Sequence, residues 1–189
     1  LKLDFGKEVQ NVLTDSDEAA RKKAENRVAV LISENTPEVI LKHVSDAKDL
    51  PVVMNYTKLY LAARSSGVIR GNYHDLGMET VKQLPNMLRN PHAILKLDNG
   101  KLNLLTQIET SKGRNGIMSV ELNSTKDLEG EYKDYNVVLT MFASDDKYIN
   151  NIINRPGTSI QYIKEDLSQV NPQLYKRLAI INDKSSDDN

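Results

Sequence analysis

An α+β fold is predicted for this chain: N-terminal helices, then a four- to five-stranded antiparallel meander sheet, with a helix near the C-terminus. Three observations predict it. Up to Pro91 the helix-forming residues, caps and apolar spacings are those of helices; beyond it apolar residues alternate with period two. Asp98-Asn99-Gly100-Lys101 joins the first two alternating runs, and Asn-Gly is the strongest short hairpin signal because both central residues tolerate positive φ. Helices followed by an antiparallel sheet bury one another's apolar faces in an α+β arrangement.

The elements follow in order. DSDEAARKKAENR, residues 15–27, favours helix through its acidic start, its later Arg and Lys and its Ala content. Its polarity marks residues 1–27 as a helical extension or linker. A single α+β domain is expected over 28–182 and a polar tail over 183–189. VAVLISENTPEVI holds a short apolar run and then Thr36-Pro37-Glu38, where Thr36 is expected to cap a helix reaching about His43. Another helix is expected from Asn55 to Ala63, with Leu59 and Ala62 inward. An amphipathic helical tract follows the His74-Asp75 turn and ends at Pro91.

In HAILKLD, Ala93, Leu95 and Leu97 share a face; in LNLLTQIE, Leu102, Leu104, Thr106 and Ile108 do. IMSVELN turns Met118, Val120 and Leu122 inward. NVVLTMF, apolar at almost every position, is expected at the sheet centre. Asp145 to Asn154 reads as a helix with Tyr148, Ile149, Ile152 and Ile153 as its stripe, SIQYIKE as a last strand, and Asn171-Pro172 as the start of a short helix whose LAII end is compatible with either state. One sheet face is expected to stay open, carrying Lys96, Asn103, Gln107, Glu109, Ser119, Glu121 and Thr140.

Composition narrows the function classes. With 25 basic against 26 acidic residues the net charge is −1, which argues against a globally electropositive surface while leaving room for a local basic groove. There is no cysteine, which excludes disulfides, thiolate zinc sites and cysteine nucleophiles. No apolar run reaches the roughly 18 residues that a membrane span needs. A start at Leu and a DKSSDDN end suggest a segment of a larger polypeptide attached through its N-terminus; processing would read the same way. GVIRG and KGRNG match neither the phosphate-loop nor the dinucleotide fingerprint, so no cofactor is expected. The three histidines lack metal-site spacing.

SENTPEVILKHV, LPVVMNYTKL, the His74 turn with VKQLPNMLRNPHAIL, the strand VVLTMF and DDKYINNIIN together span roughly residues 28–165. In this order they resemble the C-terminal domain of phage MuF-type head proteins and related domains of large polyvalent phage proteins. Such domains are similar to the barnase, EndoU, colicin and RelE-like ribonucleases. The resemblance implies a toxin-like, metal-independent endoribonuclease acting on RNA in a cytoplasm, delivered with a phage particle or secreted within a larger protein, and countered by an inhibitor protein. The family's turn histidine falls on His74 and its late-strand hydroxyl on Thr140. The chain departs from the pattern in TSKGRNG and in the acidic connection EGEYKDY.

The residues themselves allow that chemistry. RNA cleavage without a metal needs a base for the ribose 2′-hydroxyl, an acid for the leaving oxygen and donors for the phosphate, and histidine suits either proton role near neutral pH. His74 is the catalytic candidate and Thr140 a phosphate donor, with Tyr73, Lys112 and Arg114 as substrate-binding candidates. Structural readings stand beside each. A histidine before a helix often caps it, a threonine on a β-branched strand packs, and basic loop residues solvate turns. His43 suits a helix C-terminus, and His92 a strand edge. Tyr56 and Tyr60, at i and i+4, fit a core better than a base-stacking face. The alternative function is a non-enzymatic module that binds protein or nucleic acid through the same sheet.

Overall fold

The computed structural model describes residues 2–125 and 134–187, with side chains described as far as Ile181. In chain order the elements are β1 (Lys2–Asp4), α1 (Phe5–Thr14), α2 (Asp17–Glu25), β2 (Ala29–Ser33), α3 (Glu38–His43), β3 (Val52–Asn55), α4 (Tyr56–Ala63), α5 (Gly77–Val81) and α6 (Leu84–Arg89). They continue with β4 (Ala93–Lys96), β5 (Leu102–Thr110), β6 (Gly113–Ser124), β7 (Tyr135–Ser144), α7 (Asp146–Ile153), β8 (Ser159–Ile163), α8 (Leu167–Val170) and α9 (Pro172–Asp187).

The α+β class holds, but the sheet is not a four- to five-stranded antiparallel meander. It is one eight-stranded mixed sheet in the order β1-β2-β3-β7-β6-β5-β4-β8. The meander β4 to β7 is present, and three short N-terminal strands extend it past β7. Of these, β1 runs parallel to β2 and β3 parallel to β7. They are three to five residues long, too short for an alternation count, and β3 is buried over Val52, Val53 and Met54. NVVLTMF lies inside the sheet as expected, between β3 and β6.

The expected open face is in part covered: helices pack on both faces over β4, β5 and β6, while Gln107 and Glu109 stay exposed and Thr140 borders a cleft. Leu102, Leu104, Met118, Val120 and Val138 meet α1, α4, α5 and α6 in the larger core. Ala93, Leu95, Leu105 and Ile117 meet Ile149, Ile152, Leu167, Leu174 and Leu178 of α7, α8 and α9. The expected inward sets of β4 and β5 therefore lie on opposite faces: Leu95 sits beside Asn103, and Ile94 beside Leu104. Alternation within one strand fixes which residues share a face, while the pairing register decides which face that is.

Local signals account for the helices. Asp4 accepts from Lys7 N, Ser16 from Ala19 N, Asn55 from Thr57 N and Asp145 from Tyr148 N, each an N-cap side chain satisfying an orphan amide. Thr36 does not cap α3. Its hydroxyl donates to the Leu50 carbonyl and accepts from Asn136, while Pro37 starts the helix. Segment 2–27 packs Phe5, Val9, Val12 and Ala20 into the larger core. The LAII stretch is helical within α9, and β6 begins at Gly113, so much of the TSKGRNG loop is strand. Residues 129–133 of the EGEYKDY connection lie outside the described residues.

Candidate functional site

The sheet opens into a cleft where β3 ends. Met54 pairs with Val138, after which the chain turns into α4 while β7 runs on to Ser144. Two further features shape the gap. Ser119 pairs with Thr140 but Val120 with Val138, so Leu139 is an extra residue in β7. Such a bulge re-aims the side chains beside it. From the other side, segment 70–76 docks on the end of α4: the amides of His74, Leu76 and Asp75 donate to the carbonyls of Leu61 (2.8 Å), Ala62 (3.0 Å) and Arg64 (3.1 Å). These are carbonyls at and beyond the end of a helix, which need outside donors. Gly71, at φ +151°, lets this segment approach α4; a Cβ there would meet Leu61 Cδ1 at 2.5 Å.

Thr57, Lys58, Leu61, Arg70, Gly71, Asn72, His74, Thr140 and Phe142 line the cleft, whose volume is about 470 Å³. His74 and Thr140 meet here, 66 positions apart in sequence, with Nε2 and Oγ1 3.4 Å apart in a long hydrogen bond whose direction follows the imidazole tautomer. The imidazole also packs against the Phe142 ring, centroids 5.6 Å apart. Burial holds the His74 pKa below the ordinary histidine value, and the positive charges of Lys112 and Lys58 lower it further. The ring is therefore neutral near pH 7 and has a free-base nitrogen to accept a proton.

The charged lining is cationic. Lys58 and Arg70 are exposed, and neither forms an ion pair among the described residues. Lys112 stands at the margin, its ammonium donating to the Tyr73 carbonyl at 3.1 Å. Arg114 is elsewhere: it lies on β6, is exposed, and faces Glu109 at 3.8 Å. The Tyr73 hydroxyl donates to the Ile69 carbonyl and its ring meets Tyr60 edge-on, so it braces the loop. Tyr56 and Tyr60 are fully buried. His92 lies on the far side of the meander, where Asn171 contacts its Nδ1 at 3.3 Å; His43 ends α3 against Tyr162.

The sequence reading missed Lys58, Arg70 and Phe142. Arg70 sat in the glycine-bounded GVIRG, which was a usable signal. Lys58 is one lysine on a helix, and nothing near it in sequence marks the cleft.

With the fold and cleft defined, their kinship can be placed. The sequence pattern of the phage MuF-C-terminal domain family matches residues 66–169, just over half of the chain, and the protein belongs to that family. The match covers Arg70 to His74, Thr140 and Phe142, whereas Thr57, Lys58 and Leu61 come from the segment before it. No curated protein and no solved structure matches the chain.

Proposed function

We propose that this phage domain is a metal-independent endoribonuclease whose active site is the His74–Thr140 cleft. One observation carries the reading: a half-buried, neutral imidazole faces a hydroxyl in a groove whose charged lining residues are Lys58 and Arg70. A general base beside unpaired cations suits an anionic diester. His74 takes the proton of the ribose 2′-hydroxyl as its oxygen forms the new bond to phosphorus. The bond from phosphorus to the 5′ oxygen breaks, and the Lys58 ammonium protonates that oxygen. Arg70 and the Thr140 hydroxyl donate to the non-bridging oxygens, where charge builds up. The products are a 2′,3′-cyclic phosphate and a free 5′-hydroxyl. An RNA target in a cytoplasm and an acidic inhibitor covering the cationic groove belong to the same proposal.

The purified protein and its His74→Ala variant, incubated with total RNA in excess chelator, test this. Cleavage leaving cyclic or 3′-phosphate ends, lost in the folded variant, is expected. Absence of cleavage by the folded wild type overturns the proposal and favours the binding-module reading, as does cleavage that persists in His74→Ala.

A further inference from the structure

The apolar stripe expected on α7 divides in two. Ile149, Ile152 and Ile153 are buried in the second core, but Tyr148 is 37% exposed, one of few large apolar side chains so exposed among the described residues. It does not stand alone. Its ring meets Phe142 edge-on at 5.4 Å, and Phe142 in turn packs against His74 at 5.6 Å. An aromatic row thus leaves the cleft at the histidine and ends on a solvent-facing tyrosine. Its mount is rigid: Asp145 caps the Tyr148 amide at 3.0 Å, Arg177 of α9 pairs with Asp146 at 2.8 Å, and the three isoleucines hold the helix down.

A cationic groove continuous with a half-buried and then an exposed aromatic ring is an arrangement that suits single strands, because unpaired bases have free faces to stack while phosphates follow the charge. We infer that the substrate is single-stranded RNA and that Tyr148, with Phe142 beside it, stacks a base next to the scissile phosphate. This rests on the proposed function. Stacking is tolerant of base identity, so Tyr148 sets strand state rather than sequence. The residue is a binding group and takes no part in the proton transfers.

The test uses a labelled 2′-O-methyl oligonucleotide, which cannot be attacked, as single strand and as duplex, with wild type, Tyr148→Ala and Tyr148→Phe. Tyr148→Ala is expected to weaken single-strand binding by roughly 10-fold, with Tyr148→Phe within about 2-fold of wild type, since a phenyl ring stacks as a phenol does. Duplex binding is expected to be weaker and indifferent to the substitution. On cleavable RNA, Tyr148→Ala raises KM and leaves kcat unchanged. Equal single-strand affinity for wild type and Tyr148→Ala, or an equal loss on both strand states, overturns the inference. The two proposals fail separately: Tyr148-dependent binding without cleavage removes the nuclease and keeps the stacking site, and His74-dependent cleavage indifferent to Tyr148 does the reverse.

Discussion

Lys23→Met removes the cation from a carboxylate pair enclosed by the N-terminal helices. Lys23 Nζ lies 3.1 Å from Glu8 Oε2 and 2.8 Å from Asp15 Oδ2, and the Glu8 side chain is only 4% exposed. Asn11 also donates to Glu8, and the Tyr56 hydroxyl donates to Asp15 at 2.6 Å. Burial by itself would lower the Lys23 pKa, but hydrogen bonds and charge from Asp15 and Glu8 outweigh it and leave the value raised. A raised lysine contributes its full stabilisation below its unfolded-state value and loses it as pH climbs through the folded one, so at pH 7 the contribution is complete.

Removing one partner of a buried pair costs about 3–5 kcal/mol. Lys23 and Asp15 reach solvent in part, at 24% and 15% side-chain exposure, which places the expected loss near the lower end, about 3 kcal/mol. With a urea m-value of about 3 kcal/mol per molar for a chain of this length, the unfolding midpoint falls by roughly 1 M. Adding Glu8→Gln to Lys23→Met removes the stranded charge and is expected to recover part of the loss, which a double-mutant cycle measures as coupling. A Lys23→Met midpoint within about 0.2 M of wild type, or no coupling with Glu8, contradicts a stabilising role for the Lys23 cation.

Two further outcomes are expected. Lys112→Ala removes a cation that opposes protonation of His74, so the imidazole pKa rises toward the ordinary histidine value; an NMR titration of the ring protons reads this directly, and an unchanged or lower value contradicts the placement of Lys112. In Gly113→Ala the new Cβ would lie 2.2 Å from the Ser144 carbonyl oxygen at a φ of +147°, so β6 or the start of α7 must move; about 2 kcal/mol or more of stability is lost in thermal or urea unfolding, and a neutral substitution is the contrary result.

What was legible in the sequence depended on range. Helix starts and turns act over three or four residues, so the helix starting near Asn55, the one starting near Asp145 and the Asn99-Gly100 hairpin could be read directly, whereas the Thr36 cap failed because Leu50 and Asn136 take its hydroxyl. The strands β1 to β3 could not. Their partners are set by pairing between distant segments, and three to five residues carry no period of their own. His74 and Thr140 were visible through the family's pattern, yet their meeting depends on the Leu139 bulge, which leaves no mark in NVVLTMF. Lys58 and Tyr148 escaped for the same reason: each acquires its place from a neighbour in space, the end of β3 for one and Phe142 for the other.

The gap between His74 and Thr140 also has a meaning in time. The two walls of the cleft are separated by 66 residues of chain, which a ribosome adding about 5–20 residues per second needs roughly 3–13 s to synthesise. Through that interval the emerging polypeptide has its histidine and no strand to set it against. The parallel pairing of β3 with β7, which joins Val52 to Asn136 and Met54 to Val138, must wait longer still, and pairings this distant in sequence are slow to form. A nascent chain stopped before β7 lacks the Thr140 and Phe142 wall whatever else has folded, so the cleft exists only once β7 has been made and has paired.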